Sequence, residues 1–77
     1  MATRPLPPEG SSDSFRIVFD REEDGRWIAE IPELPGVMKY GETKQDAEAA
    51  VTALALRVIA DDTEQKLRKP PKSIRFL

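Results

Sequence analysis

The sequence predicts an α+β fold in the order βββαβ, a small antiparallel meander with one long helix packed on one face. Three observations carry this. Two runs of alternating hydrophobicity, Phe15 to Asp20 and Arg26 to Ile31, are separated by an Asp-Gly turn signal. A later run from Ala47 to Val58 switches to the 3.6-residue period of a helix. After Pro70-Pro71 the pattern alternates once more, over Ser73 to Leu77. With 77 residues there is room for one small domain, and a chain of this size buries only about 60% of the surface its unfolded form exposes. The core is expected to be thin.

Residues 1–13 are read as a flexible Pro-rich arm and residues 14–77 as the single domain. The first 12 residues hold three of the seven prolines, with Gly10, Ser11 and Ser12 but little to bury. Such a stretch does not offset its ordering entropy. Its Pro5-Leu6-Pro7-Pro8 string is either a bland leader or a polyproline ligand.

In the first strand Phe15, Ile17 and Phe19 share one face, and Arg16, Val18 and Asp20 share the other. Glu22-Glu23-Asp24-Gly25 ends in the Asp-Gly pair that supplies a positive φ for a tight reversal. Trp27, Ala29 and Ile31 then continue the first face on the second strand, completing a hairpin. Pro32-Glu33-Leu34-Pro35-Gly36 reads as a rigid bend, because each proline removes a ladder donor. Val37 to Tyr40 makes a third short strand, closed by Gly41.

Thr43, three residues before Asp46, predicts a helix cap. Ala47, Ala50, Val51, Leu54 and Val58 form the expected inward stripe. Ala49, Ala53, Leu56 and Ala60 form a second, shallower one, either a dimer seam or plain helix-forming surface. Asp61, Asp62 and Glu64 oppose the dipole at a C-terminus, so the helix ends near Ala60 or runs to about Leu67, with the longer form preferred.

Composition excludes several functions. No cysteine and no histidine are present, so disulfides, thiolate zinc sites and every Ser-His or Cys-His nucleophile are absent. The longest apolar run, Ala53 to Ala60, is broken by Arg57 and falls far short of the roughly 20 residues that span a bilayer. A cytoplasmic protein that binds rather than catalyses is expected, with no cofactor and no metal.

The formal net charge of −2 conceals an uneven distribution. Residues 13–64 carry 13 acids against six bases, a balance of −7, and residues 65–77 carry five bases and no acid. The basic tail, Lys66, Arg68, Lys69, Lys72 and Arg75, is expected to pair with the acidic body or a neighbouring subunit; RNA phosphate is the alternative.

If Phe15, Ile17, Phe19, Trp27, Ala29, Ile31 and Val37 face the helix, alternation turns Val18, Ile28, Met38 and Tyr40 to the other side. Those four, framed by Arg16, Asp20, Arg26 and Glu30, would make an apolar patch of the kind that meets another chain. The other reading is a partly wetted sheet of ordinary β-formers. The candidate partner or oligomer residues are therefore Val18, Ile28, Met38, Tyr40 and Leu56. The structural motif residues are Pro32, Leu34, Pro35, Gly36, Gly41, Thr43 and Asp46.

The string from Asp24-Gly25-Arg26-Trp27 through Ala29-Glu30-Ile31-Pro32-Glu33-Leu34-Pro35-Gly36, followed by Gly41-Glu42-Thr43-Lys44-Gln45-Asp46-Ala47, resembles the HicB-type antitoxins and their stand-alone HicB-like relatives. The likeness covers roughly Phe15 to Val58. It implies a partly degraded RNase H-like fold and an antitoxin that neutralises a small, basic, HicA-type toxin that cleaves messenger RNA. Many such proteins carry a C-terminal DNA-binding domain, and a chain ending at Leu77 is expected to lack one, so direct DNA binding is not anticipated. The alternatives are a stand-alone homo-oligomeric HicB-like module, a dimer or higher, and a residual metal-dependent nuclease. The nuclease would need Asp20 to converge with Glu48 or Asp61, against the alternation that turns Asp20 away from the helix.

Overall fold

The computed structural model describes residues 13–77, so the Pro-rich arm, apart from Asp13, lies outside the described residues. The elements are β1 (Asp13–Phe15), β2 (Val18–Arg21), β3 (Trp27–Glu30), β4 (Met38–Gly41), α1 (Lys44–Glu64) and β5 (Ile74–Phe76). The fold is α+β. β2, β3 and β4 form an antiparallel sheet in that order, and β1 pairs with β5 in a separate parallel pair.

The expected first strand is thus split, and the cause lies on its neighbour. Val18 is opposite Glu30 and Asp20 opposite Ile28, a register that puts Arg16 opposite Pro32. Pro32 has no N–H to give, so the β2–β3 ladder stops there. The Arg16 N–H donates instead to Glu33 Oε1 at 3.1 Å. On its other edge the chain takes up β5: Leu77 N–H donates to the Phe15 carbonyl at 2.7 Å, and Ile17 N–H to the Leu77 carbonyl at 3.1 Å. The last strand therefore returns alongside β1 and not to the three-stranded sheet. Phe15 and Phe76, whose ring centroids are 5.8 Å apart, pack where it does so.

The hairpin turn follows the sequence. Gly25 N–H donates to the Glu22 carbonyl at 2.9 Å, Glu22 N–H donates to the Arg26 carbonyl at 2.8 Å, and Gly25 has φ +92°. This is a three-residue loop whose last member takes the left-handed conformation. The Pro32–Gly36 bend is two successive turns. Leu34 N–H donates to the Ile31 carbonyl and Val37 N–H to the Leu34 carbonyl, both at 3.0 Å. Pro35 precedes Gly36 at φ +83°, the arrangement of a type II turn. Between them the turns tuck Leu34 into the core, a burial that the reading of a rigid bend did not assign.

Thr43 caps α1, its Oγ1 accepting the Asp46 N–H at 3.0 Å. The buried helix residues are Ala47, Val51, Ala55 and Ile59. This corrects the expected stripe: Ala50, Leu54 and Val58 are half-buried flanks, and the stripe is centred one position further round. A spacing of four throughout this set keeps it on one ridge inclined to the helix axis. α1 ends at Glu64, three residues before the preferred limit of Leu67. Lys66 adopts φ +62°, its N–H donates to the Thr63 carbonyl at 3.1 Å, and Leu67 N–H donates to the Asp62 carbonyl at 2.7 Å. That is a Schellman stop. Of the acids at this end, Asp62 is paired with Arg68, whose Nε lies 3.6 Å from its Oδ2.

The core joins these helix residues to Phe15, Ala29, Ile31, Leu34 and Val37, with Ile17, Phe19, Trp27, Leu54, Val58, Ile74 and Phe76 packed around it. Ala29, Ala47 and Ala55 are wholly buried, and their small side chains let the helix lie close on the sheet. Gly41 marks the closest approach: a Cβ there would come within 2.8 Å of Ala47 Cα and Asp46 C. At the rim, Lys44 Nζ lies 4.7 Å from the Phe19 ring centroid and the Arg21 guanidinium 5.1 Å from that of Trp27. Among the described residues no helix is long and apolar enough to cross a membrane.

Candidate interaction face

Because successive side chains on a strand point to opposite faces, burying Ala29 and half-burying Phe19 and Trp27 on the helix side commits their neighbours to the other. The cross-strand register arranges those neighbours in two rows. Val18, Glu30 and Met38 make one row, and Asp20, Ile28 and Tyr40 the next. Val18, Met38 and Tyr40 are 44%, 43% and 46% exposed, which is high for side chains of that size, and Ile28 in the centre is half-buried. Each row thus carries two apolar side chains and one carboxylate. All four sheet residues singled out from the sequence come together on this face.

The face is framed by held arginines. The Arg26 guanidinium lies 4.6 Å from the Tyr40 ring centroid, and its Nε donates to Asp24 Oδ2 at 2.7 Å. Asp24 Oδ1 accepts the Arg26 N–H at 3.0 Å. That backbone bond, with the guanidinium beside it, holds the Asp24 carboxyl below its ordinary range against a smaller opposing effect of desolvation. The turn therefore fixes Arg26, and Arg26 fixes the Tyr40 ring. At the opposite end, Arg16 is clasped by Glu33 through Nε to Oε2 at 2.8 Å. Neither clasp was singled out in the sequence. The signal for the first is an Asp two residues before an Arg at a turn; the second has none, because it spans 17 residues.

Leu56 does not join this set. It is 45% exposed on the outer side of α1 with Ala49, Ala53 and Ala60, the face turned away from the sheet. The five candidate interface residues therefore belong to two surfaces. The motif residues have structural places: Pro32, Leu34, Pro35 and Gly36 form the double turn, Gly41 meets the helix, and Thr43 with Asp46 starts it.

Asp20 is exposed on the open sheet face, with Oδ1 accepting the Arg21 N–H at 2.7 Å. Glu48 and Asp61 project from the helix, which covers the other face. Among the described residues no three His, Cys, Asp or Glu side chains are grouped to hold a metal ion. In the basic tail, Lys66, Arg68 and Lys69 line a depression with Thr63, Leu67 and Pro70 beyond the end of α1. Compared with known proteins, the chain matches no family model, no curated protein and no solved structure.

Proposed function

We propose that this chain is a HicB-like, antitoxin-type binding protein of the cytoplasm that covers the surface of a small basic HicA-type toxin with the open face of its sheet. The observation that carries the reading is the pair of rows Val18–Glu30–Met38 and Asp20–Ile28–Tyr40, each of which sets two apolar side chains beside one carboxylate. A basic, RNA-cleaving surface offers the complementary pattern, and negative charge on a binder speeds its encounter with such a surface. The apolar members supply burial and the carboxylates supply discrimination in favour of cations. Masking in this way needs no chemistry from the binder.

The second reading is a stand-alone homo-oligomeric module, and the observation favouring it is the small-residue outer stripe of α1 around exposed Leu56. The two readings use opposite sides of the molecule. The test is co-expression with an inducible HicA-type toxin. Restored growth, lost when Met38→Arg is introduced into a chain that still folds by circular dichroism, supports the first reading. Absence of rescue by the natural sequence, or rescue that Met38→Arg leaves intact, contradicts it.

A further inference from the structure

β4 lies at the edge of its sheet, with β3 on one side only. Hydrogen-bonded and non-bonded pairs alternate along an antiparallel ladder. Ile31 N–H donates to the Val37 carbonyl at 3.1 Å, so the pairs Ala29–Lys39 and Trp27–Gly41, two and four residues further along the same register, are also hydrogen-bonded. Ile28–Tyr40 and Glu30–Met38 are then the non-bonded pairs. The backbone N–H and C=O of Met38 and Tyr40 consequently point outward, and among the described residues nothing bonds to them.

Between these two residues stands Lys39, exposed and turned to the opposite face of the sheet. A lysine in the middle of an open edge is a known guard against pairing with a second copy. In the register that would join Met38 and Tyr40 of one chain to Tyr40 and Met38 of another, Lys39 faces its own copy, and like charges directly opposite are unfavourable. The same ammonium favours a strand that brings a carboxylate to that position.

We propose that the β4 edge is a strand-addition site, closed to a second copy of this chain and open to an extended segment of another protein that presents an acidic residue opposite Lys39. Main-chain bonds to Met38 and Tyr40 provide affinity, and the charge at Lys39 provides selection. The site uses the outward backbone groups of Met38 and Tyr40, whose side chains belong to the sheet face.

The probes are two end-blocked heptapeptides of alternating valine and threonine, one with a central glutamate and one with a central lysine, added to the full chain. Amide hydrogen exchange by nuclear magnetic resonance reads the outcome. The glutamate peptide is expected to slow exchange at Met38 and Tyr40 and to bind at least about three-fold more tightly than the lysine peptide. Lys39→Glu is expected to reverse that order. Protection by neither peptide, equal binding of both, or an order that Lys39→Glu leaves unchanged would overturn the proposal.

Discussion

The Glu33 carboxylate grips Arg16 at two points, accepting its backbone N–H at 3.1 Å through Oε1 and its guanidinium Nε at 2.8 Å through Oε2. A side chain thereby takes over where Pro32 interrupts the ladder. The guanidinium bond first, then the backbone bond, holds the Glu33 carboxyl below its ordinary range. A carboxylate whose folded pKa is lowered stabilises the fold above its unfolded value of about 4.3, and that contribution is lost as pH falls through the lowered folded value. Asp24 acts in the same direction through Arg26. Glu33→Gln should therefore lower the urea midpoint at about pH 7, and the gap from the natural sequence should close at about pH 2. A gap that persists in acid would show that Glu33 acts through something other than its charge.

Gly41 and Gly36 separate two reasons for a glycine. A Cβ at Gly41 would meet the backbone of Ala47 and Asp46 at the start of α1, so helix and strand must part to admit it. Gly41→Ala should cost about 2–3 kcal/mol in urea unfolding, a large share of the stability of so small a domain. At Gly36 a Cβ meets nothing within 4 Å, and only the φ of +83° resists it. Gly36→Ala should cost about 1 kcal/mol. Equal losses at the two sites would contradict the close approach at Gly41.

Lys66 is the non-glycine residue that takes the left-handed conformation among the described residues. Glycine adopts this geometry without the steric cost of a Cβ, partly offset by its greater freedom in the unfolded chain. Lys66→Gly is expected to raise stability by a few tenths to about 1 kcal/mol. A loss in thermal or urea unfolding would argue against the Schellman stop.

The elements were legible where local chemistry decides them. Asp24-Gly25 marked the turn, Thr43 the cap, and period-two alternation assigned Phe19, Trp27 and Ala29 to one face and Val18, Ile28, Met38 and Tyr40 to the other. Three features were not legible, each because a distant residue decides it. Alternation runs unbroken through Arg16 and Ile17, and the interruption comes from Pro32 across the sheet. Ala55 and Ile59 belong to the buried stripe, but α1 carries apolar residues on almost every side from Ala49 to Ala60, and periodicity alone does not say which side the sheet will take. The parallel pairing of β5 with β1 depends on where the chain returns after α1, which alternation in Ser73–Leu77 does not specify. For the site, the four sheet residues could be grouped because they share a period. Leu56 could not be excluded from that group until the helix was set on the other side.

The central claim is that the open sheet face, and not the outer side of α1, meets a basic partner. The most direct measurement is amide shift mapping of the full chain titrated with a catalytically inactive HicA-type toxin. The account predicts shifts concentrated at Val18, Asp20, Ile28, Glu30, Met38 and Tyr40, with Ala49, Ala53, Leu56 and Ala60 unmoved. Shifts confined to the helix residues, or none anywhere, would contradict it.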